Sequence, residues 1–510
     1  MDSRKLDVPI FVTAFLVVLF VCVPIMVWPQ QAGGQIQQTY DWIAENFGLL
    51  YQWVVIGIVG FLGWIALSRH GEIRLGDPDE RPEFSHFGWV SMLFCAGVGA
   101  GLLYWATIEW GYYMVTPPFG TEPNSEEAIA WATSYGLFHW GYIAWAIYAL
   151  PTVAIAFPYY VKKVPYLRLS TSCHSFWGAK GKDAIGARIV DGVFMLALIG
   201  GAGTSMGLAV PMVSANLADA VGLERSFMLD VGVVAVCVAL FAFSVYAGLE
   251  KGIKRLADLN VSAALIFLLF VLLAGPTLFI LRVGTESIGF MLDNMFRMLT
   301  WTDPIARTRF VEDWTIFYWA WWIAFGPFVG VFITRISRGR TLRQLIGYMA
   351  VFGSLGAWAF YIVLGNYALF LDLNNVVPVR EVLANGDPAA AIASVIGELP
   401  LGPIAQVVFA SISIIFIATT YDSASYALAS AASAQMGVGD DPARWNRLFW
   451  ALVLGLLPVA LMAVDGGVKV IMSAVLVASL PLIIVAIMMC VNLGRSVGSP
   501  ATVSSEQKRA

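Results

Sequence analysis

Charge is scarce in this sequence. Of 510 residues, 30 are Lys or Arg and 34 are Asp or Glu, 13% in all, about half the share of a water-facing domain. With 59% hydrophobic residues, that shortage excludes a string of soluble domains. A net charge of −4 argues against a nucleic-acid partner, which requires a basic surface. Cysteine is sparse and scattered: Cys22, Cys95, Cys173, Cys237 and Cys490 show neither zinc spacing nor an even disulfide framework. Motifs for a nucleophile, a metal or a phosphate are missing too. Gly97-x-Gly-x-Gly101 lacks the strand-and-helix context of a dinucleotide site. Neither an enzyme nor a cofactor is expected.

What the sequence does hold is apolar runs of spanning length. A bilayer core needs about 20 apolar residues per helix, and backbone groups in lipid must bond internally. The spacing predicts twelve transmembrane helices, at 9–28, 47–67, 89–114, 129–160, 188–219, 229–249, 256–282, 311–336, 344–371, 401–435, 446–464 and 468–492. The first run follows Arg4 and Lys5 but is too long for a signal-peptide core, so it reads as a retained helix. One side of this arrangement gathers about 23 of the 30 Lys and Arg, whereas loops 29–46 and 115–128 hold none. The positive-inside rule puts the rich side and both termini in the cytoplasm, with the chain multi-pass in the cell inner (plasma) membrane. Residues 283–310 belong outside yet carry Arg297, Arg307 and Arg309. Ile288, Met291, Leu292, Met295, Phe296 and Leu299 recur there at helical spacing, which predicts an amphipathic helix in the outer interface.

Two runs carry helix-loosening residues: Gly97-Val98-Gly99-Ala100-Gly101 in the third and Gly326-Pro327-Phe328-Val329-Gly330 in the eighth. The eighth follows the third by five spans, an odd number, so a second five-helix copy is inverted. Paired breaks in inverted repeats mark a central binding site in secondary transporters; small residues that only allow close packing are the alternative.

Tryptophan gathers around the same places. The eighth run reads Trp314-Thr-Ile-Phe-Tyr318-Trp319-Ala-Trp321-Trp322-Ile-Ala-Phe325, and the fourth holds Trp140, Trp145 and Tyr148. On a continuous helix turning about 100° per residue these three share roughly 140° of arc. Trp28 and Trp42 suit an interface belt, but Trp140 and Trp322 lie too deep for one. Two facing aromatic clusters form a cage whose ring faces hold a desolvated onium cation, each contact contributing roughly 2 kcal/mol. Such a cation has no N–H donors, so a single acid is not its obligatory partner. Glu109, His139, Asp191 and Asp422 are the other polar groups inside spans and are functional suspects by position. Asp191 and Asp422 read as capping or pairing groups, and His139 as an orienting residue beside Trp140.

The stretch from Asp313-Trp314 through Trp322 to Arg335-Ile-Ser-Arg-Gly-Arg-Thr341 resembles the signature of the betaine/choline/carnitine transporters. Phe138-His139-Trp140, Tyr104-Trp105 with Glu109, and Asp422-Ser-Ala-Ser425 resemble further segments of that family. The resemblance implies a LeuT-type five-plus-five inverted repeat in spans 3–12, preceded by two additional N-terminal helices. The divisions are then 1–84 for those helices, 85–283 and 311–494 for the repeats, 284–310 for the interfacial helix and 495–510 for a short cytoplasmic tail. It also implies a homotrimer, with the interfacial helix at the contacts. Family aromatic-box positions fall on Trp140, Trp145, Tyr148, Trp321 and Trp322, and a substrate-contacting tyrosine on Tyr112. Phe325 stands where relatives have Trp or Tyr. Choline-importing members carry an acid at the position of Gly101, so glycine there implies a zwitterion such as glycine betaine, carnitine or dimethylsulfoniopropionate. Its carboxylate would meet backbone N–H groups at Gly97, Gly99 and Gly101.

The resemblance also implies a coupling ion. Sodium sites of the family fall on the carbonyls of Cys95 and Val98 and on Phe416, Thr419 and Thr420. Sodium-independent exchangers carry an arginine where this chain has Asn260, and a methionine where it has Val329. The missing arginine charge favours import by sodium symport. The alternatives are a sodium-independent carnitine/betaine exchanger, to which Thr116-Pro-Pro-Phe-Gly120 is closer, and proton-coupled choline-type uptake.

Overall fold

The computed structural model describes residues 6–96, 99–164, 167–247, 250–433, 441–462 and 467–498. Among them there is no strand, only isolated β-bridges joining Leu6 to Ser433 and Arg74 to Thr341. The helices that matter here are α1 (Val8–Val27), α2 (Pro29–Leu67), α3 (His86–Ala96), α4 (Ala100–Val115), α5 (Glu126–Trp140), α6 (Tyr142–Ala156), α7 (Ile185–Val221), α8 (Phe227–Ala247) and α9 (Glu250–Ala274). They continue with α10 (Thr277–Thr300), α11 (Phe317–Ile336), α12 (Leu342–Leu373), α13 (Pro388–Gly397), α14 (Gly402–Ala431), α15 (Arg444–Met462) and α16 (Gly467–Val497). Nine of the described helices are long and apolar enough to cross a membrane, or ten when the bent pair α9–α10 is taken as one. The protein is an all-helical integral membrane chain. Outward-facing apolar side chains such as Phe20, Leu67, Ile266 and Phe296 are exposed, as a lipid-facing surface requires.

Every expected apolar run coincides with a helix or a helix pair, but five details differ. Residues 29–46, expected as a loop, are the first half of α2. This polar extension is held by side chains far along the chain. Tyr40 Oη donates to the Glu312 carbonyl at 2.7 Å, and Arg309 meets Asp41 at 2.5 Å and Glu45 at 3.2 Å. Those acids account for one of the basic residues that sat oddly on the outer side. Another, Arg297, lies 4.1 Å from the centre of the Phe119 ring and 5.4 Å from that of Trp131.

The seventh run, expected over 256–282, stops at Ala274, where the chain bends by 111° into α10. Pro276 supplies no N–H to continue the ladder. A Cβ at Gly275 would lie 2.8 Å from the Val271 carbonyl oxygen and 3.0 Å from Tyr367, so the turn needs glycine. The amphipathic helix therefore starts before residue 284 and ends at Thr300, ahead of a loop. It buries Ile280, Gly284, Ser287, Met291 and Met298 on one face and exposes Leu278, Leu281, Leu292 and Phe296. At the other end of the chain α16 runs to Val497, three residues into the expected tail; residues 499–510 lie outside the described residues.

The third run breaks as expected, between α3 and α4. Gly97 and Val98 lie outside the described residues, and Gly99 caps α4 in an extended conformation. The eighth does not break: α11 runs unbroken through Pro327. Its glycines instead let α11 lie against α6, since a Cβ on Gly330 would come within 2.9 Å of the Thr152 backbone nitrogen and one on Gly326 within 3.4 Å of Pro151. Thr334 Oγ1 seals this contact on the Thr152 carbonyl at 3.2 Å.

The interruption that was not expected is in the fourth run, at Gly141, whose φ and ψ of −97° and −141° are not helical. The cause is distant in sequence. Trp358 Nε1 donates to the Leu137 carbonyl at 2.8 Å, the acceptor that the Gly141 N–H would take in a continuous helix. Gly141 N reaches only Phe138 O, at 3.4 Å. A side chain inserted into the ladder is a recognised cause of a kink.

Candidate functional site

The kink at Gly141 and the glycine-mediated contact of α6 with α11 bring the two tryptophan clusters together. Trp140 is the last residue of α5, Trp145 and Tyr148 lie on α6, and Trp321 and Trp322 lie on α11; all five are buried. The Trp140 and Trp322 rings meet edge-on, with centroids 4.7 Å apart, and Trp140 lies 5.9 Å from Trp321. Trp321 and Trp322 are nearly parallel, 9° between planes and 5.2 Å between centroids. Tyr148 stands at 78° to Trp322 at 5.6 Å, and Trp145 is nearly perpendicular to Tyr148 at the same separation. This offers ring faces and edges in several orientations within a small volume. Trp145 joins the group only through Tyr148. Its ring lies over Gly353 of α12, where a Cβ would come 2.1 Å from it.

Polar anchors hold the rings. Trp322 Nε1 donates to the His139 carbonyl at 2.9 Å, and Trp140 Nε1 to Glu109 Oε2 at 3.2 Å. Glu109 is fully buried. It also accepts from Tyr113 Oη at 2.5 Å and from the Tyr318 and Tyr361 hydroxyls. His139 bridges onward, with Nδ1 2.9 Å from Tyr113 Oη and Nε2 3.2 Å from Thr315 Oγ1. The orienting role expected for His139 agrees with these bonds. Tyr113, Thr315, Tyr361 and the kink-forming Trp358 were not singled out from the sequence, and Tyr318 stood out only as one ring of its run. The i,i+4 spacing of Glu109 and Tyr113 was a usable signal; nothing local points to Tyr361 or Trp358.

Gly101 lies beside the tryptophan cluster. A Cβ there would lie 3.4 Å from Trp321 Cη2 and 3.2 Å from Ser205 Oγ, so a larger side chain would press on the Trp321 ring. Gly101 and Gly99 stand at the start of α4, where the first N–H groups have no intrahelical acceptor, a setting that favours an anion. Two expected residues have other neighbours. Phe325 packs on Phe328 at 5.8 Å and over Gly201 of α7, where a Cβ would lie 2.7 Å from it. Tyr112 packs against Trp314 at 5.3 Å and Trp105 at 6.3 Å, and Trp105 in turn meets Tyr318 at 6.2 Å.

Of the five expected sodium positions, three can be described in full. Thr419 and Thr420 each turn a hydroxyl to the Phe416 carbonyl, at 3.0 and 2.8 Å, so three oxygens are grouped on one turn of α14. Cys95 lies in the last turn of α3, and Val98 is outside the described residues. Asn260 of α9 is buried and donates through Nδ2 to the Ile412 carbonyl at 3.1 Å, one turn before Phe416. Asp191 and Asp422 both have partners: Asp191 accepts from Ser170 N and Oγ at 2.9 Å, and Asp422 pairs with Arg447 at 2.6 Å.

A family model described as the betaine/carnitine/choline family transporter matches residues 9–501. A protein named "Carnitine transporter" from Acinetobacter baumannii is 32% identical over 494 residues, covering 95% of this chain and 89% of that protein. An "Uncharacterized transporter YeaV" from Escherichia coli is 32% identical over 432 residues, covering 85% and 89% respectively.

Proposed function

Since the chain belongs to the betaine/carnitine/choline family of transporters, we propose that it imports a zwitterionic onium compound and that the aromatic box on α5, α6 and α11 is where the substrate sits. The observation that carries this reading is the box itself. Trp140, Tyr148, Trp321 and Trp322 turn ring faces and edges toward one another within 6 Å, beside the start of α4. An onium head in the box and a carboxylate at the N–H groups of Gly99 and Gly101 would satisfy both ends of one small molecule. Neutral overall, a zwitterion brings its own counter-charge. Glycine, not an acid, at position 101 fits such a substrate better than choline.

The membrane arrangement belongs to the same reading. Twelve spans, the third to twelfth as a LeuT-type inverted repeat, are supported by the match of each apolar run to a helix or helix pair. The break between α3 and α4 suits a substrate site, while the unbroken α11 gives no second break to pair with it. The loop charges support cytoplasmic termini, and the family resemblance, with the exposed apolar face of α10 available for contacts, supports a homotrimer. Coupling to sodium is supported by the three oxygens of Phe416, Thr419 and Thr420 and by a neutral amide, not a cation, at Asn260. The competing reading is sodium-independent exchange. It is favoured by the engagement of both threonine hydroxyls within their own helix, an ordinary arrangement in membrane helices.

Uptake of radiolabelled glycine betaine and carnitine into proteoliposomes, with sodium or potassium outside, tests both halves. Accumulation driven by an inward sodium gradient, and lost in Thr419→Ala, supports symport. Uptake that ignores sodium but requires internal substrate supports exchange. Failure to bind or move any onium zwitterion refutes the substrate reading.

A further inference from the structure

Glu109 presents a charge that the box geometry alone does not use. Its carboxylate is buried on α4, and its donors come from four helices: Tyr113 of α4, Trp140 of α5, Tyr318 of α11 and Tyr361 of α12. All four are uncharged. The one basic group recorded near it among the described residues is His139, with Nδ1 at 3.8 Å, and that nitrogen is shared with Tyr113 Oη at 2.9 Å. No Lys or Arg forms an ion pair with it among the described residues. The negative charge is thus held by hydrogen bonds without being cancelled by a fixed cation, in surroundings where charge is weakly screened.

Its position relative to the box is specific. Glu109 Oε2 receives the indole N–H of Trp140, one wall. The same oxygen receives the hydroxyl of Tyr318, whose ring stacks on Trp322 at 5.6 Å and 23°. Tyr361, the third donor to that oxygen, packs on Trp140 at 5.8 Å. The carboxylate therefore stands behind the corner where Trp140 meets Trp322. Its oxygens are occupied by donors, so it does not serve as a hydrogen-bonding partner for substrate.

We propose that Glu109 is a specificity-determining positioning residue, the counter-charge of the aromatic box acting through the Trp140–Trp322 corner on a bound onium head. Two effects act in the same direction. Hydrogen bonding of the indole N–H to a carboxylate makes the ring a richer electron source for a cation, and the charge itself attracts that cation from behind the ring. With the head within about 6 Å of the ring centroid, the charges are on the order of 9 Å apart. At an effective dielectric near 20 their attraction amounts to roughly a twentyfold preference for a charged head over an uncharged one. The field also orients the substrate, head toward Trp140 and Trp322 and carboxylate toward Gly99 and Gly101. This proposal rests on the reading of the box as the onium site.

The competing role is purely mechanical: four donors tied to one acceptor would bolt four helices together whatever the ligand. The test separates charge from mechanics. Binding of glycine betaine and of carnitine to the full-length protein is measured by calorimetry. Each is compared with its analogue in which a quaternary carbon replaces the nitrogen, equal in shape but uncharged at the head. In Glu109→Gln the ratio of the onium compound's affinity to that of its carbon analogue should fall about twentyfold, because both carry the same carboxylate and only the head charge differs. Glu109→Asp should restore the ratio. Equal weakening of both members of a pair, or no change in either, overturns the proposal. Should Glu109→Gln fail to fold, Trp140→Phe, which keeps a ring but loses the N–H, carries the same expectation in direction, and an unchanged ratio there overturns it. A wild-type protein that binds each pair equally would refute the onium reading itself, whereas a wild-type preference that survives Glu109→Gln leaves that reading intact and removes only Glu109 from it.

Discussion

Replacing Trp358 by Phe removes one N–H and should disturb a site on other helices. The substitution keeps a ring beside Tyr142, now 4.9 Å from Trp358, but deletes the donor that holds the Leu137 carbonyl at 2.8 Å. A buried carbonyl stripped of its partner costs about 1–3 kcal/mol. That cost falls on the kinked form of the α5–α6 segment alone. In a straight helix the Gly141 N–H would take the carbonyl back, and Trp145 and Tyr148 would then swing relative to Trp140. The variant must show the loss in one of two ways. If the kinked form still predominates, the melting temperature of the detergent-purified protein falls with little change in affinity. If the straight form becomes populated, the apparent Kd for the onium substrate rises by up to roughly five- to a hundredfold, because only the kinked fraction carries the box. Thermal melts and calorimetric titration on the same preparation read both. A variant matching the parent in melting temperature and Kd would refute the account of the kink.

Trp140→Ala and Trp322→Ala should each weaken onium binding by roughly 1–3 kcal/mol, read by calorimetry, while Trp145→Ala, linked to the box only through Tyr148, should cost less than either. Phe325→Leu should leave affinity within about twofold, since that ring packs toward α7; a loss equal to that of Trp322→Ala would put Phe325 back in the site. Gly330→Val should lower the melting temperature sharply, because its side chain would meet the Thr152 nitrogen at 2.9 Å and overpacking costs about 1–3 kcal/mol or more. Arg309→Gln should reduce stability by less than about 1 kcal/mol, and less still at high salt, since Arg309, Asp41 and Glu45 are all more than a third exposed.

The parts legible from the sequence were those that depend on local composition. Apolar runs located the helices because lipid demands them wherever they occur, and the tryptophans in and just before α11 stood out because four of them lie within nine residues. The pattern misled where one residue type serves two ends. Gly326, Pro327 and Gly330 read as a break, yet glycine equally permits close approach, and a proline within a membrane helix is accommodated by its neighbours. Gly141 carried no local mark of a kink, since its cause is an indole 221 positions from the carbonyl it captures. The early start of α2 was hidden for a similar reason: a polar stretch such as 29–46 becomes a stable helix only once Tyr40, Asp41 and Gln52 find partners around residues 301–312. Local pattern thus located the walls of the site. What it could not display was the joint at Gly141 that turns them toward each other.

That joint bears on how the box binds. Aromatic rings free to turn would have to be ordered by the ligand, which lowers affinity. Here the order exists beforehand. Trp140 is tied to Glu109, Trp322 to the His139 carbonyl, and Trp321 lies flat against Trp322. Because the His139 carbonyl is in the last turn of α5, the α11 wall is fastened to the helix that ends in Trp140, and the two walls are fixed to each other more firmly than either is to Trp145.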